Sequence, residues 1–169
     1  MAQARRVSKS CVIFDAARYQ DFNMLLNEAI DLFANAIAVA EGYFVSDSRA
    51  QRNHNPGNLT VDTTGTSIGR DGMFIVYGSA TDGWDALKKQ VSLILTNASQ
   101  IYNSEMTIYE IAQRYTTTEQ LAWAQNVART LGISPDTKIS ALLSSAETVG
   151  IGLGIVLLFA GLWYFTKKK

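Results

Sequence analysis

The sequence has little of several residue types that common chemistries require. Among its 169 residues are one cysteine, one histidine and two prolines, and the 18% of charged residues give a formal net charge of zero. A lone cysteine cannot form an intramolecular disulfide, and one cysteine with one histidine cannot assemble a zinc site. Sparse, balanced charge gives no basic surface for general nucleic-acid binding. We therefore expect no metal, no cofactor and no nucleic-acid partner.

The beginning of the chain lacks the long apolar run of a secretory signal. Arg5, Arg6 and Lys9 flank or precede only a short apolar stretch, residues 11–14, whereas a signal needs a longer apolar region and a small-residue cleavage site. We expect residues 1–18 to form a flexible basic arm. Contact of this arm with a partner or an anionic surface is the alternative.

A helix is expected from about Tyr19 to an acidic residue at its end. Its apolar stripe consists of Leu26, Ile30, Phe33 and Ile37. Four residues later the stripe reaches Glu41, and Gly42 is the natural C′ residue of the helix. Burial and the negative end of the helix dipole both favour the protonated carboxyl group. A carboxyl group kept neutral near pH 7 is what a general acid for glycosidic cleavage requires; a surface glutamate ending a helix is the plain alternative.

An asparagine-rich turn follows this helix, with the sequence Arg-Asn-His-Asn-Pro-Gly-Asn-Leu at residues 52–59. Asn53, Asn55 and Asn58 offer amide donors and acceptors for the hydroxyl and N-acetyl groups of a glycan, and the Pro-Gly pair fixes the loop. We expect these three residues to bind substrate, with Asn58 the most important. The alternative is that they only cap their own turn.

The turn and the preceding Glu-Gly-Tyr at residues 41–43 resemble a pattern found in lysozyme-like domains of phages and bacteria. In that family a helix ends in Glu-Gly-Phe or Glu-Gly-Tyr, and an Arg-Asn-Asn-Asn-Pro-Gly-Asn-Leu turn leads into a small β-sheet. The resemblance covers roughly residues 29–142, including Thr-Asp-Gly-Trp-Asp-Ala-Leu at 81–87 and Ile-Tyr-Glu-Ile-Ala-Gln-Arg-Tyr at 108–115.

The resemblance implies a peptidoglycan lytic transglycosylase, with a muramidase-type glycosidase as second choice. Glu41 would be the catalytic acid, and Tyr43, Arg52 and Tyr115 would join the three asparagines in binding substrate. His54 departs from the family, which more often has asparagine there, and this argues against an essential role for the imidazole.

The fold class predicted is α+β, lysozyme-like, mainly helical with a small antiparallel β-lobe. Met73–Tyr77 is rich in β-branched and aromatic residues between glycines, as is typical of a strand. The β-lobe would wall one side of a sugar-binding cleft, and a simple surface hairpin is the alternative. A helix from Thr81 or Asp82 should follow, with one face formed by Trp84, Leu87, Val91 and Ile94.

Two further helices are marked by their ends. Thr107 and Glu110 form a capping box that predicts a helix start. The next helix should have a stripe ending at Leu131, and Gly132 should terminate it. The other members of that stripe are Leu121, Ala124 and Ala128. The catalytic domain is expected to span residues 19–142.

The end of the chain carries a membrane-length segment. Residues 148–166 contain no charge, and a helix of this length spans about 28 Å, close to the roughly 30 Å of a bilayer core. We expect a linker at 143–147, one C-terminal transmembrane helix, and a basic tail at 167–169 that favours the cytoplasmic side and leaves the domain on the cell-wall side. The alternative is an apolar helix that packs on another protein.

The resemblance implies an enzyme that cleaves the MurNAc-GlcNAc bond of peptidoglycan. The resemblance places it in the membrane of a virion, where it would aid genome delivery, or otherwise in a bacterial inner membrane facing the wall. Expected partners are peptidoglycan glycan strands and a lipid membrane, with other virion proteins as candidates. A catalytically silent structural or wall-binding protein is the competing class. A holin-like protein is disfavoured because most of the chain is a soluble-type domain.

The mechanism depends on whether a second carboxylate lies near Glu41. Asp47, Asp62 and Asp71 are the candidates, but each lies in an ordinary turn or loop context. A single acid is sufficient if the N-acetyl group of the substrate supports the developing positive charge. We therefore expect the transglycosylase route, with 1,6-anhydromuramyl products, over two-carboxylate hydrolysis.

Overall fold

The structure, a computed structural model, describes residues 9–144. This part of the chain is α+β and about 54% helical, with a small two-stranded antiparallel sheet, so the mainly helical α+β class is confirmed. The predicted linker from residue 145, the transmembrane helix at 148–166 and the basic tail lie outside the described residues. The elements in chain order are α1 (Lys9–Ala40), α2 (Arg49–Arg52), β1 (Ser67–Asp71), β2 (Phe74–Tyr77), α3 (Ala80–Leu95), α4 (Ile108–Tyr115), α5 (Gln120–Leu131) and a 3₁₀ turn at Ile139–Ala141.

Helix α1 is the central element of the core and packs against α3 and α5. Ile30, Phe33 and Ile37 are buried, so the apolar stripe is confirmed. Within the described residues the helix runs from Lys9, at least ten residues before the start expected at Tyr19. The expected flexible arm is therefore helical from Lys9 onward, because residues 9–18 contain neither proline nor glycine to end a helix.

The same helix has the length and composition of a membrane span. Of the described residues, only the segment Arg18–Ala40 passes this test, and it lies near the N-terminus. The core helix of a soluble protein passes the same test, and one face of the C-terminal half of α1 is buried in the core. The anchor expected from the sequence is a different segment, residues 148–166.

The hairpin of β1 and β2 is attached to the asparagine-rich turn by main-chain hydrogen bonds. Strand β1 is exposed throughout, whereas Ile75 and Tyr77 of β2 are almost fully buried. The Ile75 N–H donates to the Leu59 carbonyl oxygen at 2.8 Å, and the Tyr77 N–H donates to the Asn53 carbonyl oxygen at 3.0 Å. The predicted strand and antiparallel pairing are confirmed, and the hairpin holds both ends of the turn.

Helix α3 begins slightly earlier than expected. Its N-cap is Ser79, whose extended backbone lets the hydroxyl group accept the Asp82 N–H at 3.2 Å. Thr81 and Asp82, the caps expected from the sequence, lie inside the first turn. The predicted face is confirmed, since Leu87, Val91 and Ile94 are fully buried.

Helix α4 begins, and helix α5 ends, at the residues predicted from the sequence. The capping box is present, with the Thr107 hydroxyl accepting the Glu110 N–H and the Glu110 carboxylate accepting the Thr107 N–H. Gly132 ends α5 at φ +70°, as predicted. Leu121, however, is 56% exposed. Ala124 and Ala128 of the predicted stripe are buried, and Trp123 and Val127 complete the inward face in place of Leu121.

Candidate active site

Glu41 lies at the C-terminal end of α1, where the helix closes in a Schellman motif. Gly42 adopts φ +71°, its N–H donates to the Val39 carbonyl oxygen, and the Tyr43 N–H donates to that of Ala38. Glycine adopts this left-handed conformation without a steric penalty. The motif ends the helix at Ala40 and leaves the Glu41 side chain half-buried against the domain.

The Glu41 carboxylate receives a hydrogen bond on each oxygen. Asn58 Nδ2 donates to Oε2 at 2.8 Å, and Trp123 Nε1 donates to Oε1 at 2.7 Å. Burial raises the pKa of Glu41 above its ordinary value, and the two hydrogen bonds, which favour the charged form, offset only part of that rise. The raised pKa predicted from the sequence is confirmed in direction.

Asn55 builds the turn from inside the protein. Its side chain is fully buried, and Nδ2 donates to the carbonyl oxygens of Leu59 at 3.0 Å and Ile75 at 2.9 Å. Its Oδ1 accepts the Leu59 N–H at 2.8 Å. These contacts occupy both amide donors, so Asn55 fixes the turn and is not exposed to a ligand.

The asparagine-rich turn packs directly against the first helical turn of α3. A Cβ atom at Gly83 would lie 1.7 Å from the His54 carbonyl oxygen, so only glycine permits this backbone approach. Gly57 also lies too close to its neighbours for a side chain, since a Cβ there would lie 2.8 Å from the Tyr115 hydroxyl oxygen and from a Leu87 methyl group. The Asn58 backbone then enters the left-handed region at φ +44°, which directs its side chain to Glu41.

Tyr115 lies near the acid, as the resemblance implied. Its hydroxyl group donates to the Gly57 carbonyl oxygen at 2.6 Å, and its ring stacks on Trp123 with 4.9 Å between centroids. Burial and the negative charge of Glu41 raise the pKa of Tyr115 well above its ordinary value, so the phenol stays protonated. Tyr115 therefore contacts Gly57, the residue before Asn58, and the Trp123 ring, and Asn58 and Trp123 are the two donors to Glu41.

The other predicted binding residues make no hydrogen bond to the Glu41 carboxylate in the described chain. Arg52 is exposed, donates to the Asp47 carbonyl oxygen and pairs with the Asp47 carboxylate at 3.6 Å. Asn53 is buried and its Nδ2 donates to Asp71 Oδ2 at 3.2 Å. Tyr43 packs its ring edge-on against the rings of Phe44 and Trp84. Of the asparagines, the structure therefore brings Asn58 alone into hydrogen-bond contact with Glu41.

The three candidate second carboxylates all serve local structure. Asp47 pairs with Arg52, and Asp71 accepts the Asn53 amide. Burial would raise the pKa of Asp62, but hydrogen bonds from Ser67, Thr64 and Gly65 outweigh it and hold that pKa far below its ordinary value. None of these aspartates is among the groups that shift the pKa of Glu41 within the described chain.

A cavity of about 440 Å³ opens beside this cluster, within the size range of small-molecule sites. Its walls are residues 58–61 and 98–102, with Gln90, Leu93, Arg114 and Tyr115. Glu41 does not line it and meets the cavity wall through Asn58. The cavity walls are mostly apolar, and amides, hydroxyl groups and one guanidinium group among them could hydrogen-bond to a ligand.

Trp123 is a site residue that no sequence motif indicated. Its ring is buried, at 6% exposure. A buried indole N–H requires an acceptor, and this requirement was the signal available in the sequence.

Comparisons of the chain with protein-family models, curated proteins and solved structures find no match. Within residues 18–144 no three His, Cys, Asp or Glu side chains come together as a metal site.

Proposed function

We propose that this protein cleaves the glycan strands of peptidoglycan as a lytic transglycosylase with a lysozyme-like fold. The observation that carries the proposal is Glu41: a half-buried carboxyl group with a raised pKa, held by Asn58 and Trp123, and Asn58 also lines a cavity. The family resemblance of residues 41–43 and 52–59 supplies the substrate class. An acid of this kind can protonate a glycosidic oxygen near neutral pH.

The reaction needs one carboxyl group in two steps. Protonated Glu41 gives its proton to the glycosidic oxygen as the bond to the muramyl C1 breaks, and the substrate's N-acetyl group supports the positive charge. The Glu41 carboxylate then takes the proton of the muramyl 6-hydroxyl group, whose oxygen bonds to C1. The products are a strand with a free 4-hydroxyl group and a 1,6-anhydromuramyl end, and Glu41 is protonated again.

Within the described chain no aspartate is among the groups that shift the pKa of Glu41, which favours this route over hydrolysis by two carboxylates. Mass spectrometry of peptidoglycan digested by the full-length protein tests it. We expect anhydromuramyl products from the wild type, none from Glu41→Gln, and wild-type yield from Glu28→Gln, a matched change at an exposed position of α1. Reducing-end products alone would identify a hydrolase, and full activity in Glu41→Gln would remove Glu41 from the site.

The second candidate is a wall-binding protein without turnover. It is favoured by two observations: both oxygens of Glu41 accept hydrogen bonds from protein donors, and Glu41 does not line the cavity. Sedimentation with purified peptidoglycan separates the two functions. Equal binding by wild type and Glu41→Gln, with no products from either, would establish the binding protein.

The proposed anchor is the charge-free segment at 148–166, which would hold the domain on a virion membrane or on a bacterial inner membrane facing the wall. We expect the full-length chain to float with liposomes and the double variant Leu157→Asp/Leu158→Asp to stay in solution, because each charge at mid-bilayer costs roughly 2.5 to 3.5 kcal/mol. The control Leu157→Ala/Leu158→Ala should still float. Flotation of the double aspartate variant would show that this segment is not the anchor.

A further inference from the structure

The two oxygens of Glu41 face hydrogen-bonding groups of different kinds. Oε1 faces the indole N–H of Trp123 at 2.7 Å, and an indole nitrogen can only donate. Oε2 faces the Asn58 side-chain amide at 2.8 Å, and an amide can donate or accept. The carboxyl group is therefore held asymmetrically.

A proton on Oε1 would point at the Trp123 N–H and would cost that hydrogen bond. A proton on Oε2 has an acceptor within reach, because Asn58 Oδ1 is buried and has no hydrogen-bond partner in the described part of the chain. A half-turn of the Asn58 amide exchanges its N–H group for this oxygen at Glu41. The protonated carboxyl group would then keep two hydrogen bonds, one accepted by Oε1 from Trp123 and one donated from Oε2 to Asn58.

We propose that Trp123 is a positioning residue that keeps the proton off Oε1 of Glu41, so that Oε2, on the side of Asn58 and the cavity, gives and takes the catalytic proton. The catalytic part of this inference rests on the proposed transglycosylase function. Asn58 lines the cavity and Trp123 does not, so the selected oxygen is the one nearer the space where a glycan can lie.

The surroundings of Glu41 allow its protonation to be measured at the Trp123 indole group. Tyr115 on α4 is the titratable group that interacts with it, and its pKa is raised well above the ordinary value. Trp123 on α5 and Asn58 in the turn do not titrate. Within the described chain, no other charged group shifts the pKa of Glu41. A titration seen at the Trp123 indole above the ordinary glutamate pKa of 4.5 would therefore report Glu41.

Nuclear magnetic resonance of the ¹⁵N-labelled full-length protein tests the contact without any substrate. We expect the Trp123 indole N–H resonance to move with pH through the raised pKa of Glu41 and to stay constant in Glu41→Gln. The Trp84 indole, which packs on Tyr43 and Phe44, is the internal control. An indole resonance of Trp123 that is independent of pH in the wild type would overturn the proposal.

Infrared difference spectroscopy identifies the oxygen that carries the proton. If Oε2 is protonated, Oε1 is the carbonyl oxygen and accepts from Trp123, so Trp123→Phe should move the C=O band of protonated Glu41 to higher frequency. Trp84→Phe should leave this band in place, and Glu41→Gln assigns it by removing it. An unchanged band in folded Trp123→Phe would mean that the proton is on Oε1 and would overturn the proposal.

Turnover gives a separate readout. Trp123→Phe keeps a ring against Tyr115 but loses the N–H, and a hydrogen bond to a charged group contributes roughly 10- to 100-fold in rate. We expect a loss of this size per folded molecule, with the Glu41 limb of the pH profile moved to higher pH. A wild-type protein without turnover would overturn the proposed function alone, because the indole titration and the C=O band decide the position of the proton independently.

Discussion

The Tyr115 hydroxyl group donates a 2.6 Å hydrogen bond to the carbonyl oxygen of Gly57, 58 residues earlier in the chain. This bond joins the end of α4 to the turn that carries Asn58, while the Tyr115 ring stacks on Trp123. Both hydrogen-bond donors to Glu41 are therefore supported by one tyrosine. The acid is held by a closed set of contacts among α1, the turn, α4 and α5.

Tyr115→Phe should loosen the turn and destabilise the protein. The variant keeps the stacked ring but leaves the buried Gly57 carbonyl group without its donor, which costs about 1 to 3 kcal/mol. Tyr109→Phe, on the same helix and at a hydroxyl group with no hydrogen bond in the described chain, should change the free energy of unfolding by less than about 0.5 kcal/mol. Urea unfolding measures both, and equal values for the two variants would contradict this role of Tyr115.

Asn55 and Asn58 should separate stability from activity. Asn55→Ala removes three buried hydrogen bonds and should cost about 3 kcal/mol of unfolding free energy. Asn58→Gly keeps the left-handed backbone at φ +44° accessible but removes the donor to Glu41. It should change stability by about 1 kcal/mol or less and lower turnover roughly tenfold or more. Thermal unfolding and product yield per folded molecule are the measurements, and normal turnover in Asn58→Gly would remove Asn58 from the site.

Glu41 should make the folded state less stable as pH rises. Its pKa in the folded protein is raised above the ordinary 4.5, so the folded state binds more protons than the unfolded state between those two values. Stability therefore falls as pH increases through this window. Glu41→Gln should unfold at a higher temperature than wild type at about pH 7 and lose this advantage at about pH 4. A constant difference between the two proteins across this range would show that Glu41 titrates normally.

Gly83→Ala should disrupt the packing of the asparagine-rich turn against α3. The new methyl group would meet the His54 carbonyl oxygen, a backbone atom that cannot rotate away, and overpacking of this kind costs about 3 kcal/mol or more. Gly69→Ala in the exposed strand β1, where a Cβ meets nothing within 4 Å, is the matched control. Calorimetry compares them. Similar melting temperatures for the two variants would mean that the turn can shift without loss.

The sequence by itself determined the local features of this protein. The stripe of α1 and Gly42 placed Glu41 at a helix end, the capping box started α4, and the β-branched run at 73–77 formed a strand, because each signal acts between residues a few positions apart. The raised pKa of Glu41 followed from the same local pattern. The prediction of a flexible arm was wrong for residues 9–18, which are helical.

Only the tertiary structure decided which polar side chains meet the acid. The three asparagines of one turn are chemically alike, yet the fold buries Asn55 against β2, pairs Asn53 with Asp71 and leaves Asn58 for Glu41. Trp123 reaches Glu41 across 82 residues of sequence. Such contacts depend on how the asparagine-rich turn packs against α3 at Gly83 and how α5 packs against α1. Spacing along the chain carries no information about the distance between elements that meet only through packing.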